Sequence, residues 1–317
     1  MKVALPKRTG IWLALLAEVV VLTLLTSSFS GERYFESTFL NWSNLSQVIR
    51  ALSFIAIMAV GQSVVIIAGG IDLAVGSVLG LSAVVTAVVL NQNFSIFFSV
   101  ISGLIVGVAC GFANGLLITR AKLPPFIASL GMMSIARGLA FALTGGETIR
   151  NLPEQFLIIG QGSMAAVPTP VIIMIIFAIL IGVMLKSTRW GRYVYAIGGN
   201  EEAAHYSGIH VNKMKLWVYS LCGLSAGVAG VLFASRFGVG QSTSGLGYEL
   251  DVIAAAVIGG ISLSGGRGTI LGAVIGSLLM GMLRNGLVLL NVSAYWQQVA
   301  IGAVIILAVV LDRKSKR

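Results

Sequence analysis

The chain reads as an all-α protein, a polytopic membrane bundle of about ten transmembrane helices with both termini cytoplasmic. Three observations give this reading. First, 57% of the 317 residues are hydrophobic and only 10% are charged, where soluble domains carry about 25% charged residues. Second, apolar stretches recur from Ile11 to Leu311 at the length, roughly 20 residues, that a helix needs to cross a hydrocarbon core about 30 Å thick. Third, lysine and arginine cluster in a few short loops, as the positive-inside rule requires. The net charge of +10 is therefore a topology signal and not a nucleic-acid surface.

The expected spans are 11–28, 50–68, 73–91, 95–119, 124–144, 167–186, 215–235, 250–264, 269–290 and 296–311. The first follows Lys2, Lys7 and Arg8, is long enough to cross, and has no small-residue cleavage site behind it. It reads as a retained helix and not as a signal peptide. Between the first two spans lies an outer segment carrying Tyr34, Phe35, Glu36, Phe39 and Trp42, with an interfacial helix expected from Asn44. The second and third spans are separated only by the phrase GGIDLAVGS at 69–77, which is echoed by GGISLSGGRGT at 259–269. Transporter folds are often built from internal repeats with glycine-interrupted segments at matching places. The eighth span is short.

With the N-terminus inside, the inner segments hold Lys2, Lys7, Arg8, Arg120, Lys122, Lys186, Arg189, Arg192, Lys213, Lys215, Arg267, Arg313, Lys314, Lys316 and Arg317. The outer segments hold only Arg33, Arg50, Arg150 and Arg236, while Arg137 and Arg284 fall inside spans. Residues 1–317 thus form one transmembrane domain whose longest cytoplasmic piece is 187–214.

No G-x-x-x-x-G-K-[ST] loop, H-E-x-x-H helix or Cys/His metal spacing occurs, so the sequence offers no catalytic residues and no metal ligands. Cys110 and Cys222 each lie within an apolar span and read as small hydrophobes. The informative segment is STRWGRYVYAIGGNEEAAHYSGIHVNKMK, from Ser187 to Lys215. Asn200 is placed to cap a short helix that opens with Glu201 and Glu202 and stops at Gly208. Such a helix is either a docking knob for a partner protein or an ordinary connector.

Glu202-Ala203-Ala204 followed by Gly208 resembles the coupling-helix motif of permeases of ATP-binding-cassette (ABC) importers, which seats in a groove of the ATPase subunit. The wider set is more specific: GGIDLAVGS at 69–77, FIASLGMMSIARGLA at 126–140, GRYVYAIGGNEEAAHYSGIHVNK at 191–213, GYELDVIAAAVIGG at 247–260 and SLSGGRGT at 262–269. In this order, and over nearly the whole chain, they resemble the ribose-, xylose- and arabinose-type sugar permease family. Ala74, often serine in that family, is a small departure.

The resemblance implies a bacterial inner-membrane importer of a monosaccharide, foremost a pentose such as ribose. Two permease copies would form the pore, a cytoplasmic ATPase would dock below, and a periplasmic sugar-binding protein above. No cofactor is expected in this chain; ATP and Mg would be bound by the ATPase. Asn200, Glu201, Glu202, Ala203, Ala204 and Gly208 would carry the coupling to it.

A charge at the bilayer centre costs about 2.5–3.5 kcal/mol even on lenient scales, so Glu18, Asp72, Arg137 and Arg284 must face protein or water. Asp72, in a glycine-flanked break, either lines a path or caps the third helix, and the two are compatible. Arg137 would pair with Asp72 or with a carbonyl. A sugar needs scattered hydrogen-bonding groups, and Gln62, Asp72, Asn114, Ser129, Arg137 and Asn285 are the candidates for the translocation path. Polar residues also serve as helix–helix contacts. Glu249 and Asp251, with Glu32, Glu36, Glu147 and Glu154, offer acidic groups to a docking protein outside. An ion-driven transporter would instead depend on intramembrane carboxylates, and a membrane enzyme on acidic metal clusters in its loops.

Overall fold

The computed structural model describes residues 7–30 and 34–314. Expectations placed on Lys2, Glu32, Arg33, Lys316 and Arg317 fall outside them, as do those on the side chains of Lys7, Arg8, Tyr34, Phe35, Glu36, Arg313 and Lys314.

Helix α1 (Lys7–Leu25) leads into an antiparallel hairpin of β1 (Ser27–Ser30) and β2 (Tyr34–Ser37). α2 (Trp42–Ile67) starts where Oδ1 of Asn41 accepts the Ser43 N–H at 2.9 Å. It absorbs the interfacial helix expected from Asn44, because nothing between Asn44 and Arg50 breaks a helix. α3 (Val75–Asn91), α4 (Ile96–Thr119) and α5 (Pro125–Thr144) follow, then α6 (Glu154–Gln161) and a two-residue hairpin of β3 (Ser163–Met164) and β4 (Val167–Pro168). The second half holds α7 (Thr169–Ser187), α8 (Arg189–Gly199), α9 (Glu201–Tyr206), α10 (Val211–Phe237), α11 (Tyr248–Ile258), α12 (Ile270–Leu289) and α13 (Ala294–Lys314).

Each expected span coincides with a helix. Among the described residues, six are long and apolar enough to cross a membrane by length and composition: α2, α4, α5, α7, α10 and α12. The protein is a polytopic helical membrane protein. The eighth span differs from expectation. α11 has 11 residues and so reaches only about 16 Å, because the chain turns at Gly259 and Gly260 before Ile261.

α10 is the central pillar, packed against α4, α3 and α2. Its contact with α4 is a glycine seam. Gly103, Gly107, Gly111 and Gly115 recur every fourth residue on α4; the first three meet Gly223 and Gly227 of α10, and Gly115 meets Leu216. A methyl group on Gly107 would lie 2.5 Å from the Gly223 carbonyl oxygen, and one on Gly111 2.2 Å from that of Tyr219. Only glycine lets two helix backbones touch in this way.

The two glycine-rich phrases share a turn. The N–H of Gly69 donates to the Ile66 carbonyl and that of Gly70 to Val65, both at 2.9 Å, closing α2. Gly260 and Ile261 do the same to Val257 and Ala256, closing α11. The left-handed residue is Gly69 in one phrase and Gly260 in the other, one place out of step with the sequence echo.

Between α10 and α11 the chain doubles back along α3. Gly240 exchanges two hydrogen bonds of 2.9 Å with Ile149 and lies beside Ala83 and Ala87, near the C-terminal end of α3. Ser242 and Ser244 then pass Gly80, and Gly245 abuts Gly76 near the other end. Ser242 and Ser244 turn inward, while Gln241, Thr243 and Leu246 are exposed.

Candidate functional site

The loop 187–214 folds into two helices. Thr188 opens α8 by accepting the Gly191 N–H at 3.2 Å, and Val194 and Ile197 bury its inner face. At its end, a methyl group on Gly198 would lie 1.7 Å from the Ile67 carbonyl oxygen and 2.6 Å from the Gly266 nitrogen. Three segments therefore meet there: the end of α2, the end of α8 and the 259–269 phrase. The Gly266 N–H closes the junction on the Ile67 carbonyl at 2.8 Å. Tyr195 donates its hydroxyl to the Gly268 carbonyl at 2.9 Å, and burial pushes the pKa of that hydroxyl up.

Asn200 opens α9: its Oδ1 accepts the Ala203 N–H at 2.9 Å. Glu201 and Glu202 occupy the first turn, where the helix dipole favours negative charge. At the other end Gly208 adopts φ +81°, a conformation glycine takes without steric cost. Its N–H donates to His205 at 3.0 Å and that of Ile209 to Ala204 at 3.1 Å, the paired closure of a Schellman motif. Lys215 grips both Glu201 oxygens at 2.7 Å, tying the small helix to α10. Ala204 faces inward and is buried, while Glu202, His205 and Ser207 face out and Tyr206 is 87% exposed. An open groove of about 910 Å³ runs beside it, lined by Glu202, Tyr206, Gly208, His210 and Lys213 among others. The result is a rigid knob held from behind, with a charged, aromatic outer face.

The six polar residues expected along a path fall in four places: three cluster together, and Ser129, Arg137 and Asn285 each bond elsewhere. Gln62, Asp72 and Asn114 form one buried cluster at the α2–α3 break. In the orientation its surroundings demand, the Gln62 amide donates to the Asp72 carbonyl and accepts the Asp72 N–H, both at 3.1 Å. Oδ1 of Asp72 accepts the Ala74 N–H at 2.8 Å and Nδ2 of Asn114 at 3.3 Å. This is a side-chain turn closed two residues ahead, one step before α3, whose own N-cap residue Ala74 makes no such bond. Ser129 is buried, its hydroxyl donating to the Phe126 carbonyl at 3.2 Å. Asn285 exchanges amide bonds of 2.9 and 3.0 Å with Asn44, joining α12 to α2.

Arg137 takes carbonyls and not Asp72. From α5 its Nη1 donates to those of Ser242 and Ser244, the second at 2.8 Å. The Glu249 carboxylate lies against Gly76, and the buried Asp251 pairs at 3.0 Å with the partly exposed Arg284 of α12. Asp251 is therefore turned into the bundle and is not offered to a docking protein, contrary to its expected outward role. Gln241 and Thr243, exposed beside Arg137's anchor, were passed over in the sequence. Their signal is the small polar run QSTSGLG at 241–247 just before an unusually short span.

A sequence profile of the family described as branched-chain amino acid transport system / permease component matches residues 44–309. The ribose import permease protein RbsC of Escherichia coli (strain K12) is 42% identical over 312 residues, which cover 97% of this chain and 96% of that protein. The ribose import permease protein RbsC of Bacillus subtilis (strain 168) is 42% identical over 311 residues, 98% of this chain and 94% of that protein. The D-allose transport system permease protein AlsC of Escherichia coli (strain K12) is 38% identical over 276 residues, 87% of this chain and 85% of that protein. No solved structure matches.

Proposed function

The chain belongs to the family of branched-chain amino acid transport system permease components, and from that premise we propose that it is the membrane subunit of an ABC importer for ribose or a related pentose. The observation that carries the sugar assignment is the 42% identity to ribose import permeases over 97% of the chain. It works in the bacterial inner membrane as one of two copies, with a periplasmic sugar-binding protein above and an ATPase that binds ATP and Mg below. The chain holds no cofactor and no nucleotide site of its own. It crosses the membrane ten times with both termini cytoplasmic, which places the 187–214 knob inside.

The knob supports the motor assignment. A capped six-residue helix, clamped by Lys215 and wedged through Gly198 against the ends of two other segments, transmits a push instead of absorbing it. Asn200, Glu201 and Glu202 set its start, Ala203 and Ala204 its body, and Gly208 its stop. ATP binding closes the ATPase subunits, the knob moves with them, and the bundle rocks between outward-open and inward-open forms. Of the six path candidates, Arg137 stands beside the path, and Gln62, Asp72, Asn114, Ser129 and Asn285 brace the wall behind it.

Reconstitution with the cognate ATPase and sugar-binding protein tests this. Vesicles should take up D-ribose only with ATP, and Ala204→Trp should abolish both ATPase docking and uptake. Uptake by the chain alone would overturn the reading.

A further inference from the structure

Eleven residues of α3 separate Ala87, beside Gly240, from Gly76, beside Gly245, a descent of about 16 Å along the helix axis. The segment 238–247 therefore enters about halfway into a hydrocarbon core of about 30 Å without helical structure. At that depth an unsatisfied backbone polar group costs several kcal/mol in lipid, so irregular backbone survives only against protein or a water-filled cavity. One edge of the segment has its protein: Ser242 and Ser244 face α3, and Arg137 bonds both carbonyls. On the other edge the carbonyls of Gln241 and Thr243 are closed in turns by the N–H groups of Ser244 and Leu246, and what points outward is an amide and a hydroxyl side chain. Polar side chains without partners are costly against lipid, so that edge faces water or protein.

α5 continues the same surface. Gly131, Ser134 and Gly138 fall on one helical face next to Arg137 and are all exposed. A methyl group on Gly131 or Gly138 would meet nothing within 4 Å, unlike the glycines of the α4–α10 seam. The contrast with α4 is chemical as well. Its outward groove is lined by Ile101, Leu104, Ile105, Val108, Ala109 and Phe112, an all-apolar surface suited to acyl chains. Behind the re-entrant edge, Ser244 is 6% exposed and its hydroxyl has no hydrogen-bond partner among the described residues.

We propose that segment 238–247 and the Gly131–Ser134–Gly138 face of α5 form the wall of the translocation path, with Gln241 and Thr243 hydrogen-bonding the hydroxyls of the passing sugar. An amide and a hydroxyl each donate and accept, as a neutral polyol requires. Arg137 keeps its positive charge while its Nη1 donates to the two carbonyls, and the Glu249 carboxylate is the opposite charge that acts on it. This inference rests on the importer reading.

The test uses the chain assembled with its ATPase and sugar-binding protein in vesicles, in a Cys110→Ala, Cys222→Ala background. Gln241→Cys, Thr243→Cys and Ser134→Cys should react with a membrane-impermeant cationic thiosulfonate, lose D-ribose uptake on reaction, and change reactivity when ATP is added. Ile105→Cys should stay unmodified. If Gln241→Cys and Thr243→Cys remain unmodified with and without ATP while the vesicles still take up ribose, the path is elsewhere and the importer reading stands. If the cysteine background does not assemble, Thr243→Trp in the native chain decides. Loss of uptake with the ATPase still bound supports the path, and uptake equal to the native chain overturns it.

Discussion

Gly208 and Asn200 close the two ends of a six-residue helix that is too short to hold itself. Asn200→Ala should remove about 1 kcal/mol of cap stability. Gly208→Val forces a β-branched residue to φ +81°, at a cost of about 1–2 kcal/mol. Neither residue touches the membrane bundle, so insertion and yield should be unchanged while ATP-driven uptake falls severalfold. Asn200→Ser should restore most of it, because serine caps nearly as well. Tyr206 is the complementary case. At 87% exposure it touches the ring of the adjacent His205 and holds no other element, so Tyr206→Ala should leave thermal unfolding of the purified permease unmoved and weaken co-purification of the ATPase. Equal recovery of the ATPase would remove Tyr206 from the docking face. These ends were legible in the sequence because a cap is a local matter: an asparagine before two glutamates and a glycine after the last turn state the helix limits without any tertiary contact. Asp72 was half legible for the same reason. Its turn onto Ala74 is local, but its clamp by Gln62, ten residues back across a helix end, depends on packing.

Among elements, the α4–α10 seam and α11 show where sequence reading succeeds and where it stops. The spacing of Gly103, Gly107, Gly111 and Gly115 is visible in the chain, yet its partner helix is not, since α10 lies over a hundred residues on. Substituting into the seam should be costly and substituting into the α5 face should not. Gly107→Val would drive a side chain into the Gly223 carbonyl, and overpacking of this kind costs typically about 1–3 kcal/mol. Gly131→Val meets open space. A thermal-shift assay in detergent should therefore show a drop of several degrees for Gly107→Val and almost none for Gly131→Val. The reverse order would mean that α4 and α10 are not held through their backbones. The apolar run at 250–264 predicts a short span, whereas α11 ends at Ile258, because composition alone does not mark where the helix turns at Gly259 and Gly260. The segment before α11 is polar and built of turns, and only contacts with Gly76, Gly80 and Ala87 place it beside α3.

At the scale of the whole molecule, the proposed ten-crossing topology turns on a composite eighth crossing. The descent along α3, about 16 Å, and the length of α11, again about 16 Å, together match a core of about 30 Å, the length that one passage from outside to inside needs in the proposed ten-crossing topology. Without it the crossings would be odd in number, and Arg267 and the C-terminal basic cluster would move to the outer face. Each basic residue near an anionic inner leaflet is worth about 1 kcal/mol, which opposes that inversion. Exposed Trp12, Trp217, Trp42 and Trp296 lie near the N-terminal ends of α1, α10, α2 and α13, and in the proposed orientation they would form two interfacial belts, the first pair inside and the second outside. Cysteines placed singly at exposed Gln92, Met164, Ser207 and Arg267 separate the alternatives in sealed cells treated with an impermeant maleimide. Gln92→Cys and Met164→Cys should label at once, and Ser207→Cys and Arg267→Cys only after the membrane is opened. Labelling of Arg267→Cys in sealed cells, with Ser207→Cys still protected, would mean that the re-entrant segment and α11 return to the side they left.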